Sequence, residues 1–143
     1  DMYVTMVLAA LDPSDGAVEY VNAGHVHPLL VHPNGKMESL PSGGIFLGID
    51  DSINYESDKV SIPPGGLLVL YTDGVTDILN ERGDQFGSER FYEIIRDKRH
   101  HVAEEIRNAV YQACIRHRGL AEQFDDFTLI VLKRLDFNES EMD

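Results

Sequence analysis

Three aspartates stand at the ends of the two most apolar short runs in the sequence. Asp73 directly follows Leu67 to Thr72, and Asp125 with Asp126 directly precedes Phe127 to Leu132. If those runs are strands that pair antiparallel, the end of the first lies beside the start of the second and the carboxylates converge; parallel pairing would put them at opposite ends. Converging carboxylates repel one another, and a divalent cation is the usual compensation for that charge. All-oxygen ligation by Asp suits Mg²⁺ or Mn²⁺ rather than zinc or copper. Each motif alone has an ordinary explanation, since Asp-Gly after a strand is turn chemistry and an Asp pair before a strand is often a solvated loop. Their joint position beside two-sided apolar strands, where an unpaired charge is expensive, favours a site.

Other residues invite chemistry and carry less of it. His25 and His27, in Gly24-His25-Val26-His27-Pro28, would point to one side of a strand and suggest a cupin-like two-histidine centre. No third His or Glu follows at matching spacing, so His25 reads as a loop cap near a cleft and His27 as an exposed residue. His100-His101, with Glu104 nearby, reads as a helix start. Cys114 lies on an apolar helical stripe, where packing is the expected role. Gly43-Gly44 lacks the Lys-Ser or Lys-Thr and the opening helix of a phosphate loop.

The elements that must position the aspartates can be read from pattern. Met2 to Leu11 and Ala17 to Val21 flank Asp12-Pro13-Ser14-Asp15-Gly16 as a hairpin, and Leu29 to His32 and Lys36 to Leu40 flank Pro33-Asn34-Gly35 as a second. Glycines at 43, 44 and 48 bracket Ile45-Phe46-Leu47, where backbones should approach closely. Tyr55 to Ile62 alternates as a strand, and Leu67 to Tyr71, apolar on both faces, predicts a central one. Two amphipathic helices follow, each expected to cover a sheet. The first starts near Ser88 as N-cap and carries Phe91, Ile94 and Ile95; the second spans about His101 to Arg118 with Val102, Ile106, Val110, Ala113 and Cys114. Phe127 to Leu132 predicts a closing central strand. Strands, then helices, then one strand argue for an α+β domain on mostly antiparallel sheet. That domain is expected over 1–137, with an acidic tail at 138–143.

Composition narrows the function. The 143 residues hold 12 Lys plus Arg against 25 Asp plus Glu, a formal charge of -13, so nothing attracts a nucleic acid. The apolar runs are far too short for a membrane span, and no leader opens the sequence. The single cysteine excludes an internal disulfide and a thiol cluster, so a cytoplasmic location is expected.

Several stretches together resemble the metal-dependent PPM (protein phosphatase 2C-type) serine/threonine phosphatases, within them the bacterial SpoIIE/RsbU branch. They are Met2-Tyr3-Val4-Thr5, Tyr20-Val21-Asn22-Ala23-Gly24-His25, Leu47-Gly48-Ile49, Leu70 to Asp77, Phe86-Gly87 and Asp125-Asp126-Phe127-Thr128. The resemblance implies part of an αββα sandwich in which a binuclear Mn²⁺ or Mg²⁺ centre holds the water that attacks phosphoserine or phosphothreonine in line. On that mapping Asp73 and Asp125 are metal ligands and catalytic residues, and Asp126 is an outer-sphere or supporting group. Asp77 would serve a third, looser metal, and Gly74 and His25 are supporting residues. It implies bacterial signalling, with a phosphorylated STAS-type anti-anti-sigma factor as substrate and sigma-factor release as output. The family's Gly-Asp-x-x-Gly-His-Gly-like motif, which carries the bridging Asp, lies upstream of the Met-Tyr-Val-Thr match, while this sequence begins at Asp1. Weak metal binding and little or no activity are therefore expected of residues 1–143 alone, with unpaired edges that favour a homo-oligomer. The other functional class is a non-catalytic protein-binding or dimerisation module of the same fold.

Overall fold

A computed structural model describes residues 2–41, 43–123 and 125–136. Strand β1 (Met6–Leu11) pairs antiparallel with β2 (Ala17–Ala23), and β2 with β5 (Asp58–Ser61), giving one sheet of order β1-β2-β5. The second sheet, of order β4-β3-β6-β7, joins β4 (Met37–Ser39), β3 (Leu29–Val31), β6 (Leu67–Tyr71) and β7 (Leu129–Lys133), with every pair antiparallel. Both expected hairpins form. In the second, the Gly35 N–H donates to the His32 carbonyl at 2.9 Å, and the positive φ of the turn falls on Gly35 alone.

Alternation along β6 builds two cores. Leu67, Val69 and Tyr71 face the helices with Leu29 and Val31, whereas Leu68 faces the other sheet with Leu30, meeting Val18, Tyr20 and Ile62. Helix α2 (Ser88–Lys98) contributes Phe91 and Ile95, and α3 (Ala103–Arg118) contributes Ile106, Val110 and Cys114, all nearly or completely removed from water. Three layers result: helices, sheet, sheet. The α+β class with antiparallel sheets is as expected.

Several details differ from the sequence reading. Both helices cover the same sheet, and the outer side of β1-β2-β5 is open among the described residues, with Leu8 63% exposed. The closing strand β7 is an edge strand, not a central one: β6 is its neighbour among the described residues, and Ile130 and Leu132 stay exposed between the sheets. Strand β5 begins at Asp58 because its ladder with β2 ends at Tyr20↔Asp58; beyond it β2 meets the 43–44 segment instead, the Gly43 N–H donating to the Asn22 carbonyl at 3.0 Å. Gly87, not Ser88, is the N-cap of α2, and no side chain caps that helix. Val102 is the N-cap of α3 and is exposed; the helix starts at Ala103 and its buried stripe begins at Ile106. His101 precedes the helix and its Nδ1 lies 2.8 Å from Glu105 Oε2, while Glu104 pairs with Arg107 instead. The expected tail at 138–143 lies outside the described residues. Among the described residues no helix is long and apolar enough to cross a membrane.

Candidate active site

The antiparallel pairing of β6 with β7 ends at Tyr71↔Leu129, and the chains stay together beyond it. The Thr72 N–H donates to the Thr128 carbonyl at 3.1 Å. The Thr72 hydroxyl donates to the Asp126 carbonyl at 3.0 Å and accepts from the Thr128 N–H at 3.2 Å. Immediately after, α1 (Asp73–Thr76) makes a single helical turn that the sequence reading did not foresee. Gly74 carries this turn against the incoming loop, since a Cβ there would overlap the Asp126 carbonyl oxygen. Asp73 thus sits between two residues that both touch the 126–128 backbone.

The four aspartates keep separate environments. The Asp73 carboxylate makes no hydrogen bond or ion pair among the described residues, while its carbonyl accepts from the Asp77 N–H at 2.8 Å. Asp77 Oδ1 accepts weakly from Thr76 Oγ1 and Gln85 Nε2, each at 3.5 Å. Asp125 Oδ1 accepts from the Asp126 N–H at 2.7 Å, and its carbonyl accepts from Gln123 Nε2 at 2.8 Å. All four aspartates are exposed, so water screens their repulsion and the charge is less costly here than the strands' two-sided burial suggested.

A cavity of about 230 Å³ lies beside this end of the sheet, lined in part by Gly74, Asp77, Tyr111, Arg118 and Asp125; Asp73 does not line it. Arg118 was read only as a helix end. Its Nη1 donates to Gln123 Oε1 at 3.2 Å, and its Nε is buried without a hydrogen bond among the described residues. Cys114, on the cavity floor, is buried, and burial pushes its thiol up to about 11, so it stays protonated and inert at neutral pH.

The two histidines of the Gly-His-Val-His segment are aimed at different partners. His25 Nδ1 is 2.9 Å from Thr5 Oγ1, and His27 Nδ1 is 3.1 Å from Ser39 Oγ. They do not form a joint site.

Hard carboxylate oxygens are the right donors for Mg²⁺ or Mn²⁺. Among the described residues no group of three or more His, Cys, Asp or Glu side chains is placed to hold a metal ion. The type of donor therefore fits such an ion.

Comparison with known proteins bears on what such a site does. The family model described as Stage II sporulation protein E (SpoIIE) matches residues 1–135. The chain is 32% identical over 133 residues to Protein IcfG of Synechocystis sp., covering 93% of this chain and 21% of that protein. It is 27% identical over 134 residues to phosphoserine phosphatase RsbU of Bacillus subtilis, covering 93% of this chain and 39% of that protein. The chain thus spans well under half the length of these curated relatives. Among solved structures, the SiaA-PP2C domain of Pseudomonas aeruginosa superposes with a TM-score of 0.80 at 22% identity, over 92% of this chain and 52% of that one. The manganese-presoaked phosphatase domain of SpoIIE from Bacillus subtilis gives 0.68 at 18% identity, over 94% and 57%. At these identities the likeness shows a common fold.

Proposed function

The chain belongs to the SpoIIE family, and from that premise we propose that it is part of a metal-dependent protein phosphatase that hydrolyses phosphoserine or phosphothreonine in a signalling protein. The observation that most supports this reading is the antiparallel β6–β7 pairing, which brings the start of α1 against the 126–127 backbone. Asp73 and Asp125 would hold Mn²⁺ or Mg²⁺, with Asp126 supporting and Asp77 serving a looser ion. Such a bound pair lowers the pKa of a water and neutralises phosphoryl oxygens. The chain's own part is to orient the ligands. Thr72 ties the two strand ends together, Gly74 allows their close approach, and among the described residues the Asp73 carboxylate has no hydrogen bond to give up.

The likeness to RsbU favours a phosphoprotein of sigma-factor signalling as substrate, of the STAS anti-anti-sigma type, in the cytoplasm. The exposed apolar side chains of β1 and β7 favour self-association of residues 1–143. Light scattering should then give a mass above that of one chain, and a single-chain mass would remove this part of the reading. A second reading, the non-catalytic module, draws on the lack of a three-donor cluster among the described residues.

Turnover of a phosphoserine peptide with Mn²⁺ separates the two. Residues 1–143 alone should not exceed a no-enzyme control, whereas a chain extended upstream through a Gly-Asp-x-x-Gly-His-Gly-like segment should turn over. Inactivity of the extended chain would leave the module reading in place.

A further inference from the structure

Resting on the phosphatase reading and deepening it, we propose that the cavity beside the aspartates is a specificity subsite that takes one apolar side chain of the substrate, close in sequence to its phosphoserine, while Arg118 donates to a backbone carbonyl of the same segment.

The walls of the cavity come from three elements. Tyr111, Cys114, Ile115 and Arg118 stand at i, i+3, i+4 and i+7 of α3, so one stripe of that helix faces it. Ile78 and Leu79, just after α1, and Phe127, just before β7, close other sides. These walls are held before anything enters. The Phe86 N–H donates to the Ile78 carbonyl at 2.8 Å, Leu79 bridges to Gln85, and the Tyr111 and Phe127 rings meet edge to face with centroids 5.6 Å apart. A preformed site loses little ordering entropy on binding.

Size and place select the occupant. At about 230 Å³ the cavity falls below the about 300–1,000 Å³ of pockets that hold a whole small molecule, so it suits a single large side chain. Gly74, Asp77 and Asp125 line it as well. Whatever fills it therefore lies against the end of the sheet where the phosphoserine would be hydrolysed, and a neighbouring side chain of the substrate meets both conditions.

Arg118 supplies the polar half. Its Nε is shut off from water and has no acceptor among the described residues, while Nη1 is held by Gln123. A buried donor in that state calls for an acceptor from the occupant. Charge then decides which kind. Asp77, Glu122 and Asp125 line the cavity with Arg118, the one cation among the described lining residues, so an anionic occupant is repelled. A neutral peptide carbonyl is not, and an apolar residue of a peptide segment brings side chain and carbonyl together.

The test uses the full-length phosphatase with Mn²⁺, p-nitrophenyl phosphate, and phosphoserine peptides on an alanine background in which leucine is moved through the two positions on each side of phosphoserine. At one position leucine should raise kcat/KM by about 10-fold or more over alanine. I115F, which fills the cavity, should erase that ratio, and I115A, which enlarges it, should shift the preference at the same position from leucine to phenylalanine. R118A should lower kcat/KM on the leucine peptide by about 10-fold relative to p-nitrophenyl phosphate, which carries no peptide carbonyl. Each readout is a ratio within one variant, so partial unfolding does not imitate it. Activity on the peptides with no leucine preference at any position, or a preference that both Ile115 variants leave unchanged, would overturn the subsite and leave the phosphatase reading standing. Wild-type protein inactive on every substrate would remove the phosphatase reading itself, and this inference with it.

Discussion

Replacing Asp73 with Asn is expected to abolish tight Mn²⁺ binding in an upstream-extended chain and to change little in residues 1–143, for which only weak binding is expected. Asn keeps the volume of Asp and removes only its charge. Two unit charges 4 Å apart under an effective dielectric near 20 attract by about 4 kcal/mol. Asp73 is exposed, so water screens part of that. The remainder still corresponds to a loss of at least about 100-fold in affinity, at about 1.4 kcal/mol per tenfold. Turnover should fall further, by more than about 1000-fold, because poor occupancy and weaker activation of the attacking water multiply. The fold should not suffer, since among the described residues the Asp73 carboxylate makes no bond whose loss would cost stability. Calorimetric titration with Mn²⁺, alongside a thermal melt, checks both halves. Equal affinities for the wild-type and D73N extended chains would remove Asp73 from the metal site.

Gly74→Val should be the most damaging substitution for the architecture of the site. The obstacle is backbone: the Asp126 carbonyl lies where the new Cβ would be, and the Phe127 nitrogen would be 3.5 Å away. Neither can rotate aside as a flexible side chain would. The 126–128 segment would have to leave α1, losing the Thr72 hydroxyl's bonds to Asp126 and Thr128. Overpacking costs about 1–3 kcal/mol, and the two broken hydrogen bonds about 1 kcal/mol each. A loss of about 3 kcal/mol or more in urea denaturation is therefore expected. Gly83→Ala is the comparison: Gly83 has φ +83° and nothing within 4 Å of an added Cβ. It should cost only the backbone strain, about 1–2 kcal/mol. A G74V chain as stable as wild type would mean that the close approach of α1 to the 126 carbonyl is not needed.

The hairpins, the central strand β6 and the buried faces of α2 and α3 were all legible because they depend on local signals. Alternation sets which residues of β2 and β6 turn inward, turn chemistry sets where the chain reverses, and three- and four-residue spacing sets the buried stripes. The aspartate positions were legible for a related reason: an acidic residue at the tip of an apolar run stands out wherever the run lies. Helix α1 was not, because a four-residue turn leaves no period to detect.

Contacts between distant segments escaped the sequence. That β7 would be an edge strand could not be read from Phe127 to Leu132, since an apolar run looks the same whether one side or both are covered. The Gly74 contact with Asp126 and the meeting of the His25 ring with Thr5 join positions whose separations follow no rule of spacing. They arise only when the sheets close, because each is set by which strands become neighbours. Residue types and local order thus declare a carboxylate-bearing α+β domain, and the motifs add its resemblance to a phosphatase family. The packing of β6 against β7 decides which of those residues can share one reaction.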